Sequence, residues 1–302
     1  MPLPYLSERC PILIDAHCHT NCSDGSLTIE ERIAMIRRFG YQAATITDHD
    51  FVSPEMVRRA RQAAAEMPYI PAAEFSACYR KQTVHVLGYF IDESSPVLQE
   101  HIRRAQDTDR EITAQLLHVL QKRGAHFEMD DLRSSSLHTF YSLQLVKRAA
   151  AELFENDPAR TLNAFMEIQH DLGILYADYA PWQVQDIIDL IHAAHGIAVL
   201  AHPGGENDAV MRKLDFFLHD QAAIRQYVAW GLDGIETRCP VHSPPEIQFY
   251  EELAAGFQLL TTAGSDCHGD DDYLGAALMG KFTDLFQDGY ERIYNRWKEV
   301  YP

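Results

Sequence analysis

Ile12-Leu13-Ile14-Asp15-Ala16-His17-Cys18-His19 runs from an apolar stretch directly into a pair of histidines. Residues two apart on an extended segment point to the same side, so the imidazoles of His17 and His19 can reach one point just past a strand end. Such a pair also occurs by chance on protein surfaces. It gains force here because histidines and carboxylates recur after short apolar or β-branched runs through most of the chain. This recurrence predicts one polynuclear metal site assembled from the whole fold.

The predicted metal ligands are six histidines and three carboxylates. Most follow a predicted strand end, where the functional residues of a (β/α) barrel collect, whereas His85 lies inside its strand. Neutral imidazoles and carboxylates suit zinc, manganese and iron, and such a set could hold about three ions if one carboxylate bridges two of them. Asp15, Asp48 and Asp50 either orient these imidazoles or serve as turn residues. The predicted ligands are His17, His19, Asp24, His49, Glu74, His85, His202, Asp266 and His268.

The composition limits the classes of partner. The chain has 302 residues, with 44 acidic and 26 basic side chains and a formal net charge of −18. This acidity disfavours tight binding to duplex nucleic acid. No apolar stretch approaches the roughly 18 residues of a membrane-spanning helix, and Met1-Pro2-Leu3-Pro4-Tyr5 does not resemble the start of a signal peptide. We therefore expect a cytoplasmic protein with no membrane partner, whose oligomeric state is unknown from the sequence.

Strands and helices alternate in two blocks of the sequence, which predicts an α/β fold with a mostly parallel sheet or barrel. Between them, residues 95–180 show apolar positions at helical spacing, as at Leu116 and Leu120, and no strand pattern. We therefore predict a barrel domain formed by residues 10–94 and 181–285, with a helical insertion at 95–180 that forms part of the substrate pocket. The predicted strands are 12–16, 43–47, 69–73, 83–90, 197–201, 234–236 and 259–262.

Closely spaced divalent ions make one kind of chemistry available. Two metals about 4 Å apart can hold a hydroxide between them and clamp the oxygens of a phosphoryl group during in-line attack. A site of this type performs hydrolysis without an organic cofactor.

Taken together, the motifs resemble those of the polymerase and histidinol phosphatase (PHP) family, within the amidohydrolase-like metalloenzymes. The resemblance covers nearly the whole chain. It implies a distorted seven-stranded (β/α) barrel that holds two or three divalent ions (Mn, Fe or Zn). The motifs are Asp15-Ala16-His17-Cys18-His19, Ser23-Asp24-Gly25, Thr47-Asp48-His49-Asp50, Glu74-Phe75-Ser76, His85-Val86-Leu87-Gly88-Tyr89, Ala201-His202-Pro203-Gly204, Gly234-Ile235-Glu236 and Gly264-Ser265-Asp266-Cys267-His268.

The resemblance also implies how the ligands divide among the ions. Glu74 would bridge the first and second ions, and no ligand position is vacant. The first ion would be held by His17, His19, Glu74 and Asp266, the second by Glu74, His85 and His202, and the third by Asp24, His49 and His268.

The chain is most similar to stand-alone PHP phosphoesterases of about this length, which remove a phosphate from 3′,5′-nucleotide bisphosphates or trim short RNA from its 5′ end. Their insertion usually carries a Ser-Arg-Thr segment whose arginine contacts the substrate phosphate. The corresponding stretch here, Ser136-Leu137-His138-Thr139-Phe140, has no arginine, which leaves the bisphosphate substrate open. The candidates for a replacement contact are His138, Lys147, Arg148, Arg238 and His242.

The sequence therefore predicts a metal-dependent phosphoesterase that hydrolyses small phosphate monoesters, above all nucleotides such as 3′,5′-nucleotide bisphosphates, by attack of a metal-bridged hydroxide. The predicted catalytic residues are His202, His242 and Asp266, with either histidine or a metal-bound water protonating the leaving alcohol. The alternatives are a histidinol-phosphate phosphatase and a 5′-3′ exoribonuclease acting on short RNA. A non-catalytic metal-binding regulatory module is less favoured, because it predicts missing ligands.

Overall fold

A curled, mixed β-sheet carries the predicted ligands in the computed structural model of the chain, which describes residues 12–134, 136–205, 217–269 and 288–301. The six middle strands are sheet neighbours in chain order, and the first and last strands pair with each other separately. In chain order, the strands are β1 (Leu13–Ile14), β2 (Ala44–Ile46), β3 (Tyr69–Tyr79), β4 (Gln82–Tyr89), β5 (Ile197–Leu200), β6 (Gly234–Arg238), β7 (Leu260–Ala263) and β8 (Asp288–Gly289).

The sheet is only partly parallel. The β2–β3, β5–β6 and β6–β7 pairings are parallel, whereas β4 runs antiparallel to both β3 and β5. The β3–β4 hairpin was not predicted, and β3 extends beyond the predicted 69–73. Its turn is made by Arg80 and Lys81, which both have positive φ angles of 53° and 67°. Glycine and asparagine usually occupy such turns, so the sequence lacked the usual signal.

The hairpin explains why one predicted ligand lies inside a strand. Ser76 on β3 is directly opposite His85 on β4, and opposite residues share a face of the sheet. Glu74, two residues before Ser76, lies on that same face. An antiparallel strand can therefore bring His85 to the carboxylate of Glu74 from the middle of β4.

Residues 13–19 are hydrogen bonded to both ends of the six-stranded sheet. On the β2 side, Ala43 N donates to Leu13 O (3.1 Å) and Thr47 N donates to Cys18 O (2.9 Å). On the β7 side, Ala16 N donates to Ala263 O (3.2 Å). The segment that carries His17 and His19 thus lies between the two edge strands, although only Leu13–Ile14 is regular strand.

Helices surround the sheet, and several begin at capping signals that are visible in the sequence. Thr28 forms the predicted capping box with Glu31, and Ser53 caps a helix whose first residue is Pro54. In chain order, the described helices are α1 (Ile29–Arg38), α2 (Pro54–Ala64), α3 (Pro96–Lys122), α4 (Tyr141–Leu153), α5 (Pro158–Leu172), α6 (Val184–Ala193), α7 (Gln221–Ala229), α8 (Pro244–Phe257) and α9 (Tyr290–Val300), with short 3₁₀ turns at Met129–Leu132 and Tyr176–Asp178.

Three apolar clusters stabilise the fold. One lies on the sheet face that leads to the site and includes Ile70, Leu87 and Val199, with Ile293 of α9 packed into it. A second joins the opposite face to the helices. A third belongs to α3–α5 and includes Leu120, so the helical segment between β4 and β5 has apolar packing of its own.

The two outer limits predicted for the barrel domain, residues 10 and 285, lie outside the described residues, as does the segment Met1–Tyr5. No helix in the part of the chain that the structure describes is both long and apolar enough to cross a membrane.

Asp109 of α3 holds the start of α4. It is 6% exposed, and its carboxylate accepts hydrogen bonds from the backbone N–H groups of Tyr141 (2.6 Å) and Ser142 (3.1 Å). Burial raises the pKa of Asp109 to about 6, against the opposing effect of these hydrogen bonds. The folded state therefore binds this proton more tightly than the unfolded state, and the resulting stabilisation is lost as the pH rises from about 4 through about 6.

We predict that Asp109→Asn removes this pH dependence. The raised pKa corresponds to about 3 kcal/mol, so between pH 4 and pH 7.5 the stability of the variant, measured as its free energy of unfolding, should increase relative to that of the wild type by up to that amount. Urea unfolding of the metal-free proteins at both pH values measures the difference. Asp107→Asn, at an exposed position of the same helix, is the control, and an identical response of both variants would contradict the assignment.

Candidate metal centre

All nine predicted ligands meet at one place. Eight of them fall into three groups in which the possible ligand atoms lie within 4.8 Å of one another, and His202 joins through its Nε2, 2.9 Å from Glu74 Oε1. The groups are His17, His19, Glu74 and Asp266; His49, Glu74 and His85; and His19, Asp24, His49 and His268.

The first group is almost completely enclosed by the protein. His17 Nε2 lies 3.1 Å from Glu74 Oε2 and 3.3 Å from Asp266 Oδ1. His19 Nε2 lies 3.3 Å from the same glutamate oxygen and 3.1 Å from the same aspartate oxygen. The side chains of His17, His19 and Glu74 have no exposed surface.

The second group shares Glu74 with the first. The Oε1 atom of Glu74 lies 3.0 Å from His85 Nδ1 and 2.9 Å from His202 Nε2. His49 approaches the other oxygen, with its Nδ1 3.2 Å from Oε2. One carboxylate thus contacts both groups: Oε1 faces His85 and His202, whereas Oε2 faces His49 as well as the two histidines of the first group.

The third group lies at the more open side of the cluster. Asp24 Oδ2 is 3.1 Å from His268 Nε2 and 3.6 Å from His49 Nε2. The side chain of Asp24 is 21% exposed, the largest fraction among the nine. Substrate can therefore approach from the side of Asp24, His49 and His85.

The arrangement fits divalent cations better than it fits internal hydrogen bonding. Ligands bound at about 2.1 Å from one ion are themselves separated by about 3 Å, which is the spacing seen here. Three buried atoms of the cluster, His19 Nδ1, Glu74 Oε2 and His268 Nε2, have close charged neighbours but make no well-formed hydrogen bond in the described structure. Buried polar atoms that lack hydrogen bonds are costly, and coordination of a cation would satisfy them.

The electrostatics also favour cations. Burial opposes ionisation of Asp24, yet the imidazoles of His268 and His49 hold the pKa of this carboxyl well below its usual range. Burial would lower the pKa of His268, but the carboxylates of Asp24 and Asp266 raise it to about 10. Burial lowers the pKa of His49 to about 4. The carboxylates thus stay ionised and attract positive charge, either as protons or as metal ions.

Strained backbone positions present several of these groups. His202 and Asp266 have φ angles of 26° and 50°, in the left-handed region that costs non-glycine residues energy. Each lies just after a strand, β5 and β7, where the chain turns across the end of the sheet. Asp50, after β2, has a φ of 48°.

Asp15, Asp48 and Asp50, which the sequence left as either orienting or turn residues, hold the loops that bear the predicted ligands. Asp15 accepts hydrogen bonds from the backbone N–H groups of Ser265 (2.8 Å) and His17 (3.2 Å). Asp48 accepts from Thr20 N (2.6 Å). Asp50 likewise accepts from the N–H of Ser76 (2.9 Å) on β3. These contacts orient backbone segments and fix the imidazoles indirectly.

Two buried residues given no role from the sequence support the site. Glu236 accepts from His17 Nδ1 (3.1 Å) and from the backbone N–H of His202 (2.9 Å), so it orients one ligand ring and one ligand loop. Arg32, with no exposed surface, donates to His19 O and Cys267 O, both at 2.9 Å. An arginine within the apolar stripe of α1 was the available signal for its role.

The geometry does not favour His242 as a proton donor. Gly204 N–H donates to its Nε2 (3.0 Å), so Nδ1 must carry the proton and donate to Thr237 O (2.9 Å). Burial lowers the pKa of His242. Both ring nitrogens are thus used to connect the loop after β6 to the loop after β5.

The predicted replacements for the missing arginine also have other partners. His138 Nδ1 donates to Cys22 O (2.9 Å), and burial lowers the pKa of this ring, so a neutral His138 does not supply the charge of an arginine. Arg148 lies over the Phe127 ring, and Arg238 pairs with Glu251 (2.7 Å). Lys147 is half-buried on α4.

Known proteins resemble the chain over most of its length, although no family model matches it. The phosphoribosyl 1,2-cyclic phosphate 1,2-diphosphodiesterase of Eggerthella lenta is 27% identical over 261 residues, 84% of this chain and 94% of that protein. The 5′-3′ exoribonuclease Rnm of Escherichia coli is 27% identical over 274 residues, 85% of each chain. The 3′,5′-nucleoside bisphosphate phosphatase of Chromobacterium violaceum is 26% identical over 278 residues, 90% of this chain and 92% of that protein.

Two solved structures share the fold. A Chromobacterium violaceum amidohydrolase with bound sulfate and no metal gives a TM-score of 0.69 at 23% identity. A Bifidobacterium adolescentis protein, itself assigned only by inference as a metal-dependent phosphoesterase, gives 0.72 at 21% identity. Each match covers 94% of this chain and 96% of the other.

The chain is a metal-dependent phosphoesterase. The predicted resemblance to such enzymes is confirmed by these relatives, and the buried His/Asp/Glu cluster is the part of the phosphoesterase suited to divalent metals.

We predict that Glu236→Gln weakens metal binding by the phosphoesterase. A glutamine retains the shape but cannot accept from both His17 and the His202 backbone as a carboxylate does, and loss of such supporting contacts typically costs about 10- to 100-fold in metal affinity. Titration of the metal-free protein with Mn²⁺ measures this loss. Glu251→Gln, on the surface of α8, is the control, and equal affinities in all three proteins would refute the role of Glu236.

We also predict that metal binding releases protons. The pKa of His268 is raised to about 10, so this ring is protonated in the metal-free protein at pH 7.5 and must lose its proton to become a ligand. Calorimetric titration with Mn²⁺ in buffers of different ionisation enthalpy should show release of about one proton or more, and an affinity that falls as the pH is lowered. An affinity independent of pH between 6 and 8 would contradict this reading.

Proposed function

We propose that the phosphoesterase hydrolyses small phosphate esters of nucleotides, with 3′,5′-nucleotide bisphosphates as the first candidates. The observation that carries the proposal is the convergence of nine predicted ligands on one partly open cluster, with Glu74 shared between two groups. The relatives named for nucleotide chemistry support it, because this chain covers 85–94% of their lengths.

The proposed cofactors are two or three divalent ions of manganese, iron or zinc. The first would be held by His17, His19, Glu74 and Asp266, the second by Glu74, His85 and His202, and the third by Asp24, His49 and His268. When bound, such ions supply a water-derived nucleophile at neutral pH and stabilise the charge that develops on phosphoryl oxygens.

The protein's own residues orient this site and exclude water from its buried end, around His17, His19 and Glu74. Glu236 holds the His17 ring in the tautomer whose Nε2 faces the cluster. Because both nitrogens of His242 are engaged with backbone groups, we propose that the leaving alcohol takes its proton from solvent rather than from His242.

For the fold, we propose that residues 13–19 act as the seventh strand of a distorted barrel. Their hydrogen bonds to both edge strands support this closure. We also propose that residues 95–180 form a helical insertion on the barrel domain and part of the substrate pocket, because Phe140 contacts the ligand His49.

Trimming of short RNA from the 5′ end is the second candidate. Proteins named as 5′-3′ exoribonucleases match this chain at 25–27% identity. The bisphosphate phosphatase has a similar identity of 26%. Histidinol phosphate remains an alternative substrate predicted from the family alone. The cytoplasmic location also stays a prediction.

We predict that the Mn²⁺-loaded protein releases inorganic phosphate from adenosine 3′,5′-bisphosphate. Glu74→Gln should lower kcat/KM by more than the roughly 10- to 100-fold typical of changes outside the ligand shell, because Glu74 is shared between two groups. Comparison with histidinol phosphate and a short 5′-phosphorylated RNA ranks the candidates. The proposal fails if the wild type hydrolyses none of a broad panel of phosphate esters.

A further inference from the structure

Phe140 is an aromatic residue placed at the metal cluster instead of in a core. Its ring is half-buried, and its centroid lies 6.2 Å from that of His49, at an angle of 32°. It belongs to none of the three apolar clusters found among the described residues. Its apolar surface is therefore available beside the more open side of the cluster, where Asp24, His49 and His85 are partly exposed.

The backbone around Phe140 is held in place. Phe140 is the residue immediately before α4, and its carbonyl accepts from Gln144 N (3.1 Å). The next two N–H groups are bound by the buried Asp109. Before it, His138 donates to Cys22 O and stacks on Phe51 with ring centroids 4.5 Å apart. The ring is thus a fixed surface that needs little ordering when a ligand binds.

The polar groups of the same segment do not offer a positive charge. His138 is neutral and directs its one proton to Cys22 O. A planar apolar ring beside a cation-binding cluster matches a ligand that has a phosphate at one end and a flat aromatic group at the other. Stacking of a base on an aromatic side chain is strong enough to determine binding.

We propose that Phe140 determines substrate specificity by stacking against the nucleobase, or an equivalent planar group, of the phosphate ester whose phosphate lies at the metal cluster. This inference rests on the proposed function and specifies its substrate class. Stacking requires only a π-face, so it selects for a base without selecting one base over another.

The test compares AMP with ribose 5-phosphate, which has an anomeric hydroxyl in place of the base. In the Mn²⁺-loaded wild type, AMP should bind more tightly. Phe140→Leu, which keeps an apolar side chain but removes the π-face, should weaken AMP binding by about 5-fold or more, within the range of stacking on proteins, and leave ribose 5-phosphate unchanged. Phe140→Trp should restore the preference. Phe249→Leu, at an exposed phenylalanine of α8, is the matched control.

Equilibrium binding is measured beside turnover, so that the inference and the proposed function can fail separately. Equal weakening of both ligands by Phe140→Leu would show that the ring is only a wall of the pocket and would overturn the inference. So would equal wild-type affinities for AMP and ribose 5-phosphate, with or without turnover. An unchanged Mn²⁺ titration in Phe140→Leu is required for the stacking interpretation, whereas absence of hydrolysis with any phosphate ester would reject the proposed function alone.

Discussion

A single buried carboxylate organises this structure. Glu74 has no exposed surface, yet five imidazole nitrogens lie within 3.3 Å of its two oxygens. A buried charge is unfavourable unless it is paired, so these side chains and the strands that carry them must converge for the fold to be stable. Divalent cations in place of the shared protons would satisfy the same requirement and would supply the chemistry of the site.

The supporting residues act mostly through the backbone. Arg32 joins the carbonyl groups of His19 and Cys267, and Asp15 joins the segments of His17 and Ser265. Glu236 connects the His17 ring to the loop of His202. Each of these side chains links two segments that are far apart in sequence. The ligands are consequently held before any ion binds, which lowers the cost of ordering them.

The helical segment between β4 and β5 adds a surface that could distinguish one phosphate ester from another. Metals recognise phosphate but do not distinguish one ester from another. The segment around His138 and Phe140 packs on the loops of Cys22 and His49, and it presents an aromatic ring beside the cluster. On the proposed stacking role of Phe140, substrate choice depends more on apolar contact than on a positive charge.

Much could be read from the order of residues alone. The nine predicted ligands, most of the strands and the starts of α1 and α2 were predicted from local signals, because apolar runs, caps and metal-binding residue types are recognisable within a few residues. His85 was predicted to be a ligand, but its place in the middle of a strand was not explained. The β3–β4 hairpin was missed, because Arg80 and Lys81 are unusual residues for its turn.

The three-dimensional arrangement was needed for everything that depends on which distant groups meet. Nothing near Glu236 or Arg32 in the sequence shows what they bind, since their partners are more than ten residues away. Similarly, His242 resembles a proton donor until its two nitrogens are seen to be occupied by Gly204 and Thr237. Local residue types specify what chemistry is possible, whereas hydrogen bonding between remote segments decides which of those groups remain free to perform it.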